Sequence, residues 1–244
     1  LHDTDRKIIY DYEHIKGEAH ATAARNINPY LVDAHDLVLL RRDHTLCNVP
    51  EIGIGNKPID GGNYLFTTEE KAAFLKQEPK AKPWFRRWIG SDEFINNYER
   101  WCLWLGDCPP EELRQMPEAM KRVEAVRALR LASKSAPTRK LADTPTRFHV
   151  ENIPDKPYLV IPEVSSERRN YIPMGFMKPS TLASNLVKIV PRATLFHFGM
   201  LSSVMHMAWV RYVCGRLKSD YRYSKDIVYN NYPWPSDPTE KQRT

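Results

Sequence analysis

In the stretch GRLKSDYRYS (215–224), Lys218, Asp220 and Arg222 stand at every second position, with Tyr221 and Tyr223 alternating among them. Side chains two apart on a strand point the same way. A strand here would project two cations and an anion together and pack the tyrosines behind. Three kinds of chemistry compete for that arrangement: a solvated edge, a catalytic dyad, or a reader of base edges. In the major groove a lysine donates to guanine O6 and N7, and an aspartate accepts from cytosine N4. Lys218 and Asp220 at strand spacing would grip the two halves of one G·C pair, with Arg222 reaching a neighbouring guanine or a phosphate. The plainer alternative is an ion pair along an edge, which contributes only about 0–1 kcal/mol when exposed. The residues alone weigh these two readings equally.

A second surface lies in IPEVSSERRNYIPMGF (161–176). Ser165, Ser166, Arg168 and Arg169 supply hydroxyl and guanidinium donors suited to phosphate oxygens. Asn170 and Asn185 have the amide geometry that binds an adenine edge. A turn with solvated arginines explains the same residues equally well. A third basic run, Lys121, Arg122, Arg127, Arg130 and Lys134, falls on one side of a helical stretch, where a solvated face is the usual meaning.

Catalytic patterns are missing. There is no G-x-S-x-G, H-E-x-x-H, Walker sequence or histidine–carboxylate cluster. EPKAK (78–82) and PDKPY (154–158) hold fragments of a nuclease carboxylate–lysine pattern without a second acidic residue on an adjoining strand. YNNYPWP (229–235) has the wrong order for the Asn-Pro-Pro-Tyr loop that holds an adenine amino group in methyltransferases. No glycine-rich strand–turn–helix for S-adenosylmethionine is present either. No catalytic, cofactor-binding or metal-ligating residue is therefore expected in this segment. Cys47, Cys102, Cys108 and Cys214 form no C-x-x-C pair, which argues against zinc and for free, buried thiols in a reducing cytoplasm. A net charge of +6 suits a polyanionic partner without demanding one. No apolar run approaches the ~20 residues of a membrane span, and no signal peptide is expected.

The elements that must position these groups read as follows. Ile8–Tyr12 is expected to be an edge strand and residues 36–42 (DLVLLRR) another. Residues 49–66 are expected to be a glycine-rich loop crossing a sheet. TTEEKAAFLKQEP (67–79) is expected to be a helix with a threonine cap, early glutamates and a proline stop, and YERWCLWLG (98–106) is a central strand. From Pro110 a helix starts and Pro117 restarts it, with Met120, Val123, Val126 or Arg127, and Leu131 at helical spacing. Beyond residue 146 the texture changes to short strands: RFHV, PYLVIPEVS, NYIPMGF, NLVKIV and TLFHFG. A helix capped by Ser202 or Ser203 interrupts them, with Met205, Ala208, Trp209 and Tyr212 as its core stripe and His206 as a hydrogen-bonded packing residue. DYRYS and IVYNNY read as two further strands before a charged, unstructured tail. An apolar fraction of 42% supports a real core. The expected class is α+β with a mixed or antiparallel sheet and several helices, because the later strands are not separated by helices.

Five long segments in fixed order carry a resemblance: NINPYLVDAHDLV, VPEIGIGNKPIDGGNYLF, FRRWIGSDEFINNYERWCLWLGD, IPEVSSERRNYIPMGF, and HFGMLSSVMHMAWVRYVCGRLKSDYRYSKDIVYNNYPWP. Together they resemble the target recognition domain of MmeI-like DNA methyltransferases, which belong with single-chain type II restriction–modification enzymes. The resemblance places the recognition domain at residues 26–236, with 1–25 a lead-in from a methyltransferase domain and 237–244 a tail. The missing initiator methionine fits an excised piece. The resemblance implies double-stranded DNA as partner, adenine-N6 methylation by a parent enzyme using S-adenosylmethionine, and a catalytic domain outside this segment. It also implies that one base pair is read by opposite charges flanking a serine, here Lys218, Ser219 and Asp220. Arg222 and the region of Asn185 match further readout positions. Two rivals stand beside it: a self-sufficient hydrolase, and a protein-interaction module docking its basic helix on an acidic partner.

Overall fold

The computed structural model describes residues 6–13, 16–236 and 238–243. Residues 1–5 and 14–15 of the expected lead-in, and 237 and 244 of the expected tail, lie outside the described residues. In chain order the strands are β1 (Lys7–Tyr12), β2 (Ala19–Ala24), β3 (Gly53–Ile54), β4 (Leu65–Phe66), β5 (Phe85–Ile89), β6 (Arg100–Leu103) and β7 (Tyr158–Pro162). They continue with β8 (Val164–Ser165), β9 (Gly175–Met177), β10 (Thr181–Ala183), β11 (Val187–Pro191), β12 (Gly215–Leu217) and β13 (Asp220–Arg222). The helices are α1 (Thr68–Gln77), α2 (Ser91–Asn96), α3 (Pro110–Leu113), α4 (Pro117–Leu131), α5 (Ala136–Lys140), α6 (Leu195–Leu201), α7 (Val204–Val213) and α8 (Glu240–Arg243). The class is α+β, as expected.

β1 and β2 form a hairpin of their own. The first sheet runs β10-β5-β6-β4, with β10 parallel to β5 and the rest antiparallel. Its core gathers Tyr64, Phe66, Phe74, Phe85, Trp88, Trp104 and Phe148 against Val123 and Val126 of α4. The aromatics meet edge to face, as with Phe66 and Phe85 at 5.0 Å, the arrangement their quadrupoles favour. The second sheet, β3-β11-β7-β9, is antiparallel throughout. β7 is buried along its whole length, which is why YLVIP is continuously apolar rather than alternating. Tyr158, Val160, Val187 and Ile189 join Ile89 and Ala183 to pack the two sheets together.

The chain leaves the second sheet at Pro162 and enters a third at Val164. That third sheet, β12-β13-β8, presents the charged stretch. Beneath it lies a core rich in tyrosine: Tyr221, Tyr223, Tyr229 and Tyr232 with Met207, Val210 and Trp234. His206 is buried there and shares a 3.0 Å hydrogen bond with the Tyr223 hydroxyl, as expected of a packing histidine. Burial holds its pKa down to about 3, so it is neutral at ordinary pH.

Several expectations fail for identifiable reasons. The 36–42 segment joins no strand ladder. It is a strap held by side-chain amides, with Asn231 donating to the Leu40 carbonyl and Asn230 to that of Arg42. TLFHFG forms α6, because Thr194 caps it and the His197 ring accepts from the Thr194 N–H at 3.1 Å. IVYNNY is a wide helical turn over Lys225–Tyr229, closed by Asn230 N–H to the Lys225 carbonyl at 2.9 Å. RFHV contributes only an isolated bridge, Val150 with Lys57. α7 is capped by Ser203, but it buries His206, Met207 and Val210 and leaves Met205, Ala208 and Tyr212 exposed. The stripe is displaced because His206 turns inward to Tyr223. α8 stands where the tail was expected to be unstructured.

Arg130 is the sharpest correction on α4. Expected on the solvated face, it is fully buried. Its guanidinium donates to the carbonyls of Pro58, Ile59, Leu141, Thr144 and Arg147 at 2.8–3.0 Å. Those are the five donors an arginine fork has, all satisfied.

Candidate nucleic-acid interface

The two charged segments singled out in sequence come together. β13 pairs with β8 in antiparallel register, Tyr221 opposite Ser165 and Arg222 opposite Val164. The Asp220 carboxylate then reaches across, its Oδ1 accepting from the Glu167 N–H at 3.2 Å. The 165–169 turn and the 215–222 hairpin are therefore one surface.

Within it, the strand argument holds for Asp220 and Arg222 and fails for Lys218. Tyr221 and Tyr223 are buried, and Arg222 is exposed on the opposite side. Lys218 and Ser219, by contrast, are the two-residue turn between β12 and β13, and both are exposed. Lys218 takes a left-handed φ of 58°, which breaks the alternation that spacing by two would impose. Glycine, which has no Cβ, or asparagine, whose short amide bonds locally to the backbone, usually fills such a position. The cation thus sits at the tip and the carboxylate at the first strand position after it. Asp220 keeps Oδ2 without a hydrogen-bonding partner among the described residues.

Arg168 and Arg169 are exposed on the turn after β8. The Ser166 Oγ accepts from the Arg168 N–H at 3.3 Å and its carbonyl from the Arg169 N–H at 3.1 Å, which shapes that turn. Ser165 is placed differently from expectation. It is buried beneath the sheet opposite Tyr221, so its hydroxyl has no surface to offer a phosphate. Asn185 is half-buried in the three-residue connection, Ser184–Asn185–Leu186, between β10 and β11. Its neighbour Leu186 accepts from the Glu163 N–H at 3.1 Å, tying that turn to the base of the hairpin surface.

Glu163 and Lys188 are residues of the candidate surface that sequence reasoning missed. Glu163 sits at the step between β7 and β8 and holds two cations. Lys188 Nζ lies 2.7 Å from its Oε2, and Arg222 Nε lies 3.1 Å from its Oε1. Burial alone would raise the Glu163 pKa, yet those two partners together hold it below the usual value. The signal was a lone acidic residue inside PYLVIPEVS, whose partners lie 25 and 59 positions away. A cleft of about 750 Å³ opens beside this group, lined also by Arg41, Lys225 and Asp226. Its cations are largely matched within the protein, Arg41 by Asp226 and both Lys188 and Arg222 by Glu163, so it is no ready-made phosphate cradle.

Among the described residues no group of three or more His, Cys, Asp or Glu is placed to hold a metal ion. Among the described residues no helix is long and apolar enough to cross a membrane.

The sequence profile of the MmeI target recognition domain matches residues 33–236. This chain belongs to that family. The domain is also similar to DNA methyltransferase A of Bacillus subtilis (strain 168), at 39% identity over 217 residues, which cover 89% of this chain and 25% of that protein. Among solved structures it resembles the type IIL restriction–modification enzyme MmeI in complex with DNA, with a TM-score of 0.92 and 48% identity. That likeness covers all of this chain and 32% of the MmeI chain. The domain therefore spans about a quarter to a third of the length of these relatives.

Proposed function

We propose that this target recognition domain binds double-stranded DNA and selects the site for a parent adenine-N6 DNA methyltransferase that also works as a restriction–modification enzyme. The observation that carries the reading is the fusion of two polar segments into one surface through the β8–β13 pairing and the Glu167–Asp220 hydrogen bond. Exposed Arg168 and Arg169, with Ser166, contact phosphates and set the register, which carries no sequence information in itself. The hairpin tip reads bases. Lys218 donates to a guanine and Asp220, through its free oxygen, accepts from the paired cytosine N4, with Ser219 between them. Arg222 and Asn185 read or position neighbouring pairs.

Catalysis belongs to another part of the parent. Among the described residues parallel pairing is confined to β10 with β5 and the Asn56–Ser184 bridge. A doubly wound parallel sheet is the usual home of a nucleotide-like cofactor, and this reading assigns S-adenosylmethionine to a methyltransferase domain of the same polypeptide. Residues 1–25 are the lead-in from that domain, 26–236 the recognition unit and 237–244 a tail. A base must leave the stack to be methylated, so this domain holds the duplex while the other receives the flipped adenine. The assembly works in the cytoplasm with no membrane partner.

Selection from a randomised duplex library by the full 244-residue chain tests this. Enrichment of one defined motif is expected. Binding spread evenly over all sequences, or none at low salt, would overturn it.

A further inference from the structure

Arg216 has no role in the base-reading scheme, yet it touches three separate parts of the hairpin that performs it. It lies on β12, opposite Tyr221 of β13. Its guanidinium carbon stands 3.8 Å from the centre of the Tyr221 ring. Its Nη1 donates to the Ser219 carbonyl at 3.4 Å, and its Nη2 to the Arg211 carbonyl at 3.2 Å. Among the described residues no carboxylate pairs with it.

Each contact answers a weakness. Arg211 is in the last turn of α7, where carbonyls have no partner within the helix. Ser219 belongs to a turn whose other residue, Lys218, is held at a left-handed φ of 58°. β12 is exposed at all three positions and, among the described residues, has β13 as its sole strand neighbour, so it lacks the packing that keeps short strands in place. Tyr221, by contrast, is anchored in the core. A planar fork can stack on that ring and reach two carbonyls at once, which an ammonium cannot.

We propose that Arg216 is a positioning residue: it fastens the hairpin tip to the end of α7 and to buried Tyr221, and so fixes where Lys218 meets its base. The proposal rests on the reading that this tip contacts DNA. It predicts that Arg216 governs discrimination at one base pair rather than affinity in general.

The test uses the full chain, in the wild-type form and as Arg216→Gln and Arg216→Lys, with library selection, binding at several salt concentrations, and thermal melting. Both variants are expected to lose at least about fivefold of the discrimination at the pair read by Lys218 and Asp220, a base contact being worth about 5- to 150-fold. Preference at other positions and the melting temperature should hold. Arg216→Lys retaining full discrimination would overturn the proposal, as would a loss spread evenly over all positions. A salt slope lowered by about one in Arg216→Gln alone, with base preference unchanged, would make Arg216 a phosphate contact instead. Failure of the wild-type chain to select any motif would instead sink the DNA reading beneath it.

Discussion

Replacing Glu163 by Gln removes the charge shared by Lys188 and Arg222, and the structure says the two losses are unequal. The Lys188 side chain is 11% exposed and that of Glu163 23%, so this pair is largely out of water. Breaking a buried pair by removing one partner costs about 3–5 kcal/mol, because the remaining charge stays desolvated. Partial exposure brings the figure here to about 2–3 kcal/mol. Arg222 is 59% exposed, which puts its pairing with Glu163 in the range of about 0–1 kcal/mol. Double-mutant cycles by urea unfolding separate the two. Glu163→Gln with Lys188→Met should show a coupling of about 2–3 kcal/mol, and Glu163→Gln with Arg222→Met less than about 1 kcal/mol. The sign of the pH effect follows from the lowered Glu163 pKa. Its contribution is present above the ordinary carboxylate value of about 4.3 and is lost as pH falls through the lower folded value. On the proposed DNA-reading role of Arg222, the weak arm is the one that matters: Arg222 would leave Glu163 for a DNA acceptor at little cost, while Lys188 stays paired with Glu163 at the β7–β8 step. Equal couplings for the two cations, or a Lys188 coupling under about 0.5 kcal/mol, would refute the reasoning.

Arg130→Met takes the buried guanidinium away from five carbonyls, one of them fully buried, and should destabilise the domain by more than about 4 kcal/mol in urea melts, whereas a loss under about 1 kcal/mol would show that water replaces the fork. His206 binds protons more weakly folded, near pH 3, than unfolded, near 6.5, so stability should be full above pH 6.5 and fall toward pH 3. The difference in slope from non-titrating His206→Gln should be about 1.4 kcal/mol per pH unit between those limits, and identical slopes would contradict it. Arg168→Ala or Arg169→Ala should weaken DNA binding about uniformly across sequences and lower the salt slope by about one, and a loss confined to one sequence would show base reading instead.

How much of this was written plainly in the chain depended on the reach of the forces involved. Local signals served well: the Thr67 cap of α1, the proline starts of α3 and α4, and the aromatic central strand β6 all stand as expected. Where a polar group is satisfied from far away, the pattern misled. Arg130 has a solvated arginine's spacing, but its partners lie up to 72 positions off. The inward turn of His206 set α7's buried face, and side-chain amides of Asn230 and Asn231 held 36–42 without a sheet partner. At the site, the charged residues and the buried tyrosines were legible because alternation is local. The turn at Lys218 was not, since nothing in Lys-Ser has the glycine or asparagine signature of a two-residue hairpin. The union of the two surfaces through Glu163 and Glu167 depends on tertiary pairing alone.

The most direct measurement is library selection by the chain carrying Lys218→Glu together with Asp220→Arg, beside the wild type. If tip charges read the two partners of a G·C pair, the double variant should prefer the reversed pair at that one position, keep every other position of the motif, and melt where the wild type does. A double variant that still selects the original pair would contradict the account.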